Sequence, residues 1–261
     1  MRDDDTAFIL RLAETPRDLR AAQRLRYRVF VQELGGSGPM VDHVNQLERD
    51  EFDPFFDHLL LIDPSRNPDD LDDVVGVYRL LPSDRLALSA RFYSEGEYDL
   101  TALKSSGRRL LELGRSCVHP DHRGGSAMLL MWNALADYVL ERRIEVLFGT
   151  ASFHGTDIQA LAQPLSYLHH HHLAPPPLRV SARAPHRVGM DVIPAARLDK
   201  RAALAGTPAL IKAYLRLGGF VGEGAWVDHA FNTTDVCLVM DTEKMSAKHR
   251  EFYIRKSARE S

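Results

Sequence analysis

The chain has 261 residues, a formal net charge of −3 and 44% hydrophobic residues, the profile of an ordinary globular protein with room for one large domain. The near-neutral charge excludes general nucleic-acid binding, and two cysteines are too few for a disulfide scaffold. No apolar run approaches the roughly 18 residues of a membrane span, and the opening MRDDDTAF lacks the basic and apolar regions of a secretory signal, so a cytoplasmic chain is expected. In chain order, Phe8–Leu12 reads as a strand, and Thr15-Pro16 opens a helix running to about Glu33, with proline at its first turn. The break Gly35-Gly36-Ser37-Gly38-Pro39 ends it. Strands follow at His58–Asp63 and Val74–Leu81, with a short one at Arg91–Ser94.

The centre of the chain is more telling. Leu110–Val118 is a strand that turns through His119-Pro120-Asp121-His122-Arg123-Gly124-Gly125 into a helix from about Ser126. Met128, Leu129, Trp132, Leu135, Ala136 and Leu140 of that helix fall on one face. A strand, a turn and a helix N-terminus together make an anion site from unpaired backbone N–H groups, and Arg123 adds a full positive charge.

Beyond it, Glu145–Ala151 is a buried strand ending at Ser152, and Thr156 or Asp157 caps a helix through His169–His172. Consecutive helical positions point about 100° apart, so these four histidines do not converge on one ion; a helix-end or surface role is expected. A helix from about Pro208 to Leu217 and a closing pair of strands, Phe220–Asp228 and Asp235–Met240, precede a charged tail. The architecture expected is α/β, a mixed central sheet flanked by helices. Cys117 and Cys237 sit in strand-like apolar runs and read as buried reduced thiols. Charge is unevenly placed: residues 42–73 carry eleven Asp/Glu against two Arg, and residues 173–220 carry eight Lys/Arg against two Asp. Such runs suit a cationic substrate and an acidic protein partner respectively.

The strand, Arg-Gly-Gly turn and helix resemble the GNAT acyltransferases, whose equivalent loop cradles the phosphate of a pantetheine thioester. The resemblance implies that Val118, Arg123, Gly124 and Gly125 hold the acyl-pantetheine. The family's final two loop positions fall here on Ser126 and Met128, a departure that points from coenzyme A towards the single phosphodiester of a carrier protein. Arg26 with Phe30, Asp50 with Asp53, Arg79, and Glu112 with Arg115 resemble, in the same order, acyl-homoserine lactone synthases, which implies that Arg26, Phe30, Asp50, Asp53, Arg79 and Arg115 bind substrate. Residues three apart in a strand lie on opposite faces, so Glu112 and Arg115 share a pocket only if the strand bulges.

Residues 147–173 and 208–240 resemble the ornithine–acyl-carrier-protein N-acyltransferases, also labelled haemolysin-like, and this similarity extends from Arg26 to about Tyr253. It implies one GNAT-like acyltransferase domain over 1–261, with a helical, basic C-terminal insertion at 153–219. The implied reaction moves a 3-hydroxyacyl group from acyl carrier protein to the α-amine of L-ornithine, giving lyso-ornithine lipid without a metal or other cofactor. Glu112 is the expected base. Ser152 is the expected proton donor to the leaving thiolate, and Arg79 or Arg115 would hold the substrate carboxylate. Asp50 or Asp53 would take the distal ammonium. Arg179, Arg183, Lys200 and Arg201 are the expected carrier-protein docking residues. The alternative for this basic segment is a peripheral contact with the inner membrane, its apolar side given by Leu210, Ile211, Tyr214 and Leu215. An acyl-homoserine lactone synthase and a non-enzymatic membrane-active protein are the alternative functions.

Overall fold

Local chemistry starts the first helix where the sequence places it. A computed structural model describes residues 8–244, so the charged tail lies outside the described residues. After strand β1 (Ile9–Leu12), the Thr15 hydroxyl accepts the Asp18 N–H while the Asp18 carboxylate accepts the Thr15 N–H, a reciprocal cap for helix α1 (Pro16–Arg26). The helix does not stop at Arg26. It widens into a π-helical segment, Tyr27–Glu33, and ends as Gly35 turns to a φ of 73°. Ala21, Ala22, Leu25 and Val29 pack this face onto Leu60, Ile62, Val74, Val77 and Cys117.

The chain forms two compact units. The first comprises the residues up to Leu81 together with Leu113–Arg142. In it, β1 pairs antiparallel with β2 (Asp57–Ile62), and β2 with β3 (Val74–Pro82). At Gly76, opposite Leu61, an added Cβ would lie 3.0 Å from Leu61 Cβ and 3.3 Å from Met131 Sδ. The close approach of Met131 to the sheet therefore requires bare backbone there.

The second unit comprises Pro82–Glu112 and the chain from Arg143 on. It begins with two short helices, α2 (Leu86–Ser89) and α3 (Thr101–Lys104), around the two-residue strand β4 (Tyr98–Asp99). Strand β5 (Leu110–Val118) has the bounds the sequence predicts. Its first residues pair in parallel with β6 (Val146–His154), Leu110↔Val146 to Glu112↔Phe148, and its later residues lie beside β3 in the first unit. Helix α4 (Ala127–Glu141) follows the turn, close to the predicted start. Helix α5 (Ala162–His172), β7 (Ser181–Ala182), β8 (Arg187–Val188), α6 (Lys200–Gly206), α7 (Ala209–Arg216) and β9 (Phe220–Val221) come next. Strands β10 (Ala225–Asp228) and β11 (Thr233–Asp241) close the unit; β11 pairs antiparallel with β6 on one side and β10 on the other.

Four expectations are corrected. Residues 91–94 form no strand; a 3₁₀ turn spans Tyr93–Gly96, because the Glu95 carboxylate accepts the Phe92 N–H at 2.8 Å and the next two amides turn inward. Helix α5 starts at Ala162, since β11 holds β6 in its ladder as far as His154, and Asp157 caps only a turn at Gln159 and Ala160. Phe220–Asp228 is two strands, broken at Gly222, where a Cβ would meet Val180 Cγ2 at 2.7 Å. Helix α6, capped by Asp199, has no counterpart in the sequence reading. Both cysteines are free and buried, and burial pushes the Cys117 thiol up to about 12.

Candidate functional site

Arginines and carboxylates spread over 90 residues of sequence converge in the first unit. Arg26, at the end of α1, is fully buried, and its Nη1 donates to Asp53 Oδ1 at 2.6 Å while its Nε donates to Glu48. Arg79 on β3 donates from Nη1 to both oxygens of Asp50 at 2.7 Å and to Asp53 at 3.0 Å, with its guanidinium 4.4 Å from the Phe56 ring centre. Arg115 on β5 donates to Glu48 at 3.1 Å and to Asp50 at 3.3 Å. Three guanidinium groups thus face three carboxylates. Gln23 donates to Asp53 at 2.9 Å, and the His58 ring lies 3.0 Å from the Asp53 carbonyl.

The electrostatics follow from burial. Desolvation opposes the charge on Glu48, but Arg26, Arg115 and Arg79 outweigh it and bring its carboxyl down to about 2. Asp53 falls below the usual carboxylate range for the same reason, against burial and through Arg26 and Arg79. Burial, then Arg26, lowers His58 to about 4, so it is neutral among the ions.

Exposure divides the group. The side chains of Arg26, Glu48, Asp53 and Arg79 are at most 3% exposed, whereas Asp50 is 17% and Arg115 15% exposed. Only that edge meets solvent. Arg115, on β5, sits at a left-handed φ of 48° and is one of the two half-buried members of the group. Phe30 packs against the apolar cluster under α1. Glu48 is the member missed in the sequence; its only signal is its place in the acidic run, two residues before Asp50.

Glu112 and Ser152 belong to the second unit. Glu112 is buried; Oε2 accepts the Tyr93 N–H at 2.8 Å, and Oε1 accepts the Ser94 N–H at 2.6 Å and its hydroxyl at 2.5 Å. The carboxylate therefore anchors the turn that replaces the expected strand. Ser152 is exposed on β6, directly opposite Asp235 of β11.

The Arg123 turn is in the first unit. Val118 is buried and its carbonyl accepts Arg123 Nε at 3.1 Å. The Arg123 guanidinium grips Glu33 with both arms at 2.6 and 2.7 Å, and Gly124, at a φ of 79°, is exposed beside Gly125. Among the proposed docking residues, Arg179 is half-buried and donates to the Ala174 carbonyl, and Arg183 donates to the Glu95 carbonyl. Lys200 and Arg201 stand exposed on the first turn of α6. Ile211 and Tyr214 are buried, which removes them from the apolar contact expected of α7. No helix among the described residues is long and apolar enough to cross a membrane.

A family model of the acetyltransferase (GNAT) domain matches residues 25–133. The L-ornithine N(alpha)-acyltransferase of Rhodobacter capsulatus is 66% identical over 250 residues, covering 96% of each chain. That of Brucella abortus is 40% identical over 247 residues, 94% of this chain and 88% of its own. Among solved structures, FeeM, an N-acyl amino acid synthase from uncultured soil microbes, has a TM-score of 0.51 at 12% identity, covering 91% of this chain and 92% of its own. The fold is the GNAT-like one that the central stretch implies.

Proposed function

We propose, for a chain that belongs to the L-ornithine N(alpha)-acyltransferase family and is an N-acyltransferase of the GNAT fold, that its acceptor is the α-amine of L-ornithine. The observation that carries this reading is the 66% identity to the Rhodobacter capsulatus enzyme over 96% of both chains. The donor in this reading is a 3-hydroxyacyl carrier protein, and the product is lyso-ornithine lipid, the first intermediate of ornithine lipid synthesis.

The chemistry sets the tasks. An amine near neutral pH is mostly protonated, so one proton must leave before the nitrogen attacks the thioester carbonyl. The carbon–nitrogen bond then forms, the nitrogen gives up a second proton, the carbon–sulfur bond breaks, and the departing thiolate takes a proton. Glu112 is the proposed base, acting through water because its oxygens already accept from Tyr93 and Ser94. The exposed hydroxyl of Ser152 is the proposed proton donor to sulfur. Arg115, at the solvent edge of its ion network, is the proposed partner of the amino-acid carboxylate.

At the turn, a donor phosphate would exchange with the Glu33 carboxylate for the Arg123 fork. A single phosphodiester makes that exchange with less repulsion than the multiply charged coenzyme A. Purified protein given matched acyl chains on carrier protein and on coenzyme A is therefore expected to prefer the former by about tenfold or more in kcat/KM, equivalent to about 1.4 kcal/mol. Mass spectrometry of the product from an amino-acid panel tests the acceptor in the same assay. Equal efficiency with both donors overturns the donor assignment, and absence of N-acyl ornithine overturns the acceptor.

Lys200 and Arg201 are the exposed pair proposed to meet the acidic carrier protein. Reversing both to Glu is expected to raise the KM for the carrier-bound donor several-fold. The defect should fade with salt, given a Debye length of about 8 Å at physiological ionic strength. Acyl-pantetheine should be used as before; equal harm to that small donor rules out docking here.

A further inference from the structure

The outer face of α1 carries a row of arginines. Arg17, Arg20 and Arg24 on the helix and Arg28 just beyond it follow at intervals of three, four and four residues, which sets their side chains one above another. With the turn between β2 and β3 they line a cavity of about 630 Å³ in the first unit, within the roughly 300–1,000 Å³ of small-molecule sites. That turn contributes Asp69, Asp70 and Asp72. One wall is therefore cationic and the other anionic.

The walls close on each other at the ends of the row. Arg17 donates to Asp73 at 2.8 Å and to the Pro68 carbonyl, and Arg28 donates to Asp72 at 2.8 Å. The middle stays open. Among the described residues, neither the Arg20 guanidinium nor the Asp69 carboxylate has a partner, although both line the cavity. Arg24 donates from Nη1 to Gln46, and its Nε is buried without a partner. Opposite charges within reach would pair, as they do at the ends, so the gap between Arg20 and Asp69 is one that an ion pair does not span. The anionic wall is held in shape by Asn67, which donates to Asp70 at 2.7 Å and accepts the Asp69 N–H at 3.0 Å. Leu71 anchors the turn on the apolar cluster under α1 at a left-handed φ of 58°, a conformation that strains a leucine backbone.

The lining excludes most classes of ligand. Among the described residues that form it, only Pro68 and Leu71 are apolar, so an acyl chain gains little by entering. Phosphate would meet the aspartates, and a metal ion the arginines. A zwitterion meets both walls with the right sign. Its carboxylate falls between Arg20 and Arg24, about 6 Å apart along the helix, and its ammonium falls to Asp69 and Asp70. The row ends at Arg28, whose guanidinium meets the His119 ring at the head of the Arg123 turn, so the cavity adjoins the proposed path of the donor.

We propose that this cavity is a second amino-acid site, apart from the Arg115 edge, which takes a molecule carrying a carboxylate and a distal ammonium. This rests on the acceptor being L-ornithine. Two molecules of the proposed reaction carry that pair of charges. One is the free acceptor, and the other is the head of its N-acylated product, in which the α-amine has become an uncharged amide.

The test is calorimetric titration of wild type and of the double variant Arg20→Gln with Asp69→Asn, using L-ornithine and N-butyryl-L-ornithine. Both replaced side chains are exposed, and equal melting temperatures control for folding. The variant is expected to lose one binding event of wild type, or to weaken it by about tenfold or more. Loss with ornithine alone assigns the site to the free acceptor, loss with N-butyryl-ornithine alone to the product head, and loss with both to the end they share. L-norvaline, without the distal ammonium, and putrescine, without the carboxylate, are each expected to bind there about tenfold or more weakly than ornithine. Either one bound there as tightly overturns the zwitterion assignment. A variant that binds both ligands as wild type does, while N-acyl ornithine still forms, overturns the site and leaves the proposed function standing. Parallel loss of ornithine binding and of acylation also overturns it, because the cavity is then the acceptor's own site. A wild type that neither binds nor acylates ornithine overturns the acceptor assignment and the second site together.

Discussion

Replacing Asp53 with Ala is expected to destabilise the protein by about 3–5 kcal/mol, the cost of leaving buried charge uncompensated. Arg26 and Arg79 are at most 1% exposed and share the Asp53 carboxylate, so neither guanidinium can turn to water. Gln23 loses its side-chain partner as well, whereas the backbone carbonyl that meets His58 stays in place. Urea unfolding with an unchanged m-value is the measurement, and a loss below about 1 kcal/mol would show that the arginines find other partners. Asp42→Ala is the contrast. Its carboxylate accepts from Asn45 at 2.8 Å and pairs with Arg49 at 3.4 Å on the surface, where water screens the charge, so a much smaller loss is expected.

The same network fixes the direction of the pH dependence. Glu48 titrates at about 2 in the folded chain against roughly 4.3 unfolded, so its stabilising share is complete above the unfolded value and is lost as pH falls towards 2. His58 is depressed to about 4 from roughly 6.5. The unfolded chain therefore takes up this proton first, and stability falls as pH drops from about 6.5 to 4. Each such proton contributes a slope of about 1.4 kcal/mol per pH unit between its two values. His58→Gln is expected to flatten the stability curve between about pH 6.5 and 4 and to leave the steeper fall below it. A curve unchanged in that window would mean that His58 titrates normally.

Replacing Glu112 with Gln is expected to lower turnover by about 10²-fold or more if its carboxylate is the base. The side chain also anchors the Tyr93–Ser94 turn through both oxygens, and an amide nitrogen in place of one oxygen would point a donor at a donor. Ser94→Ala separates the two roles, since it removes one hydrogen bond to Oε1 and leaves the carboxylate. Turnover far lower in Glu112→Gln than in Ser94→Ala, at comparable melting temperatures, identifies the base. Parallel losses of turnover and stability in the two variants reduce Glu112 to an anchor.

The sequence by itself determined the elements whose cause is local. The nine-residue stretch from Leu110 to Val118 and the proline–glycine turn after it marked the central strand and the start of α4 within a residue, because strand propensity and turn chemistry act over a few neighbours. The Thr15-Pro16 cap worked for the same reason. The ordered set from Arg26 to Arg115 was legible as a pattern of residue types. Its burial was not, and neither was the part of Glu48, since which carboxylate meets which guanidinium depends on how α1, β3 and β5 pack. Residues 91–94 read as a strand from composition, yet the amides of Tyr93 and Ser94 are claimed by Glu112, eighteen residues ahead of Ser94. The pairing of Ser152 with Asp235 depends on the register of strands whose paired residues are 83 apart in sequence. A shift of one residue would turn every side chain of β11 to the other face. Only the tertiary structure decides that register, because it is set by the summed burial of the strands and by no residue within them.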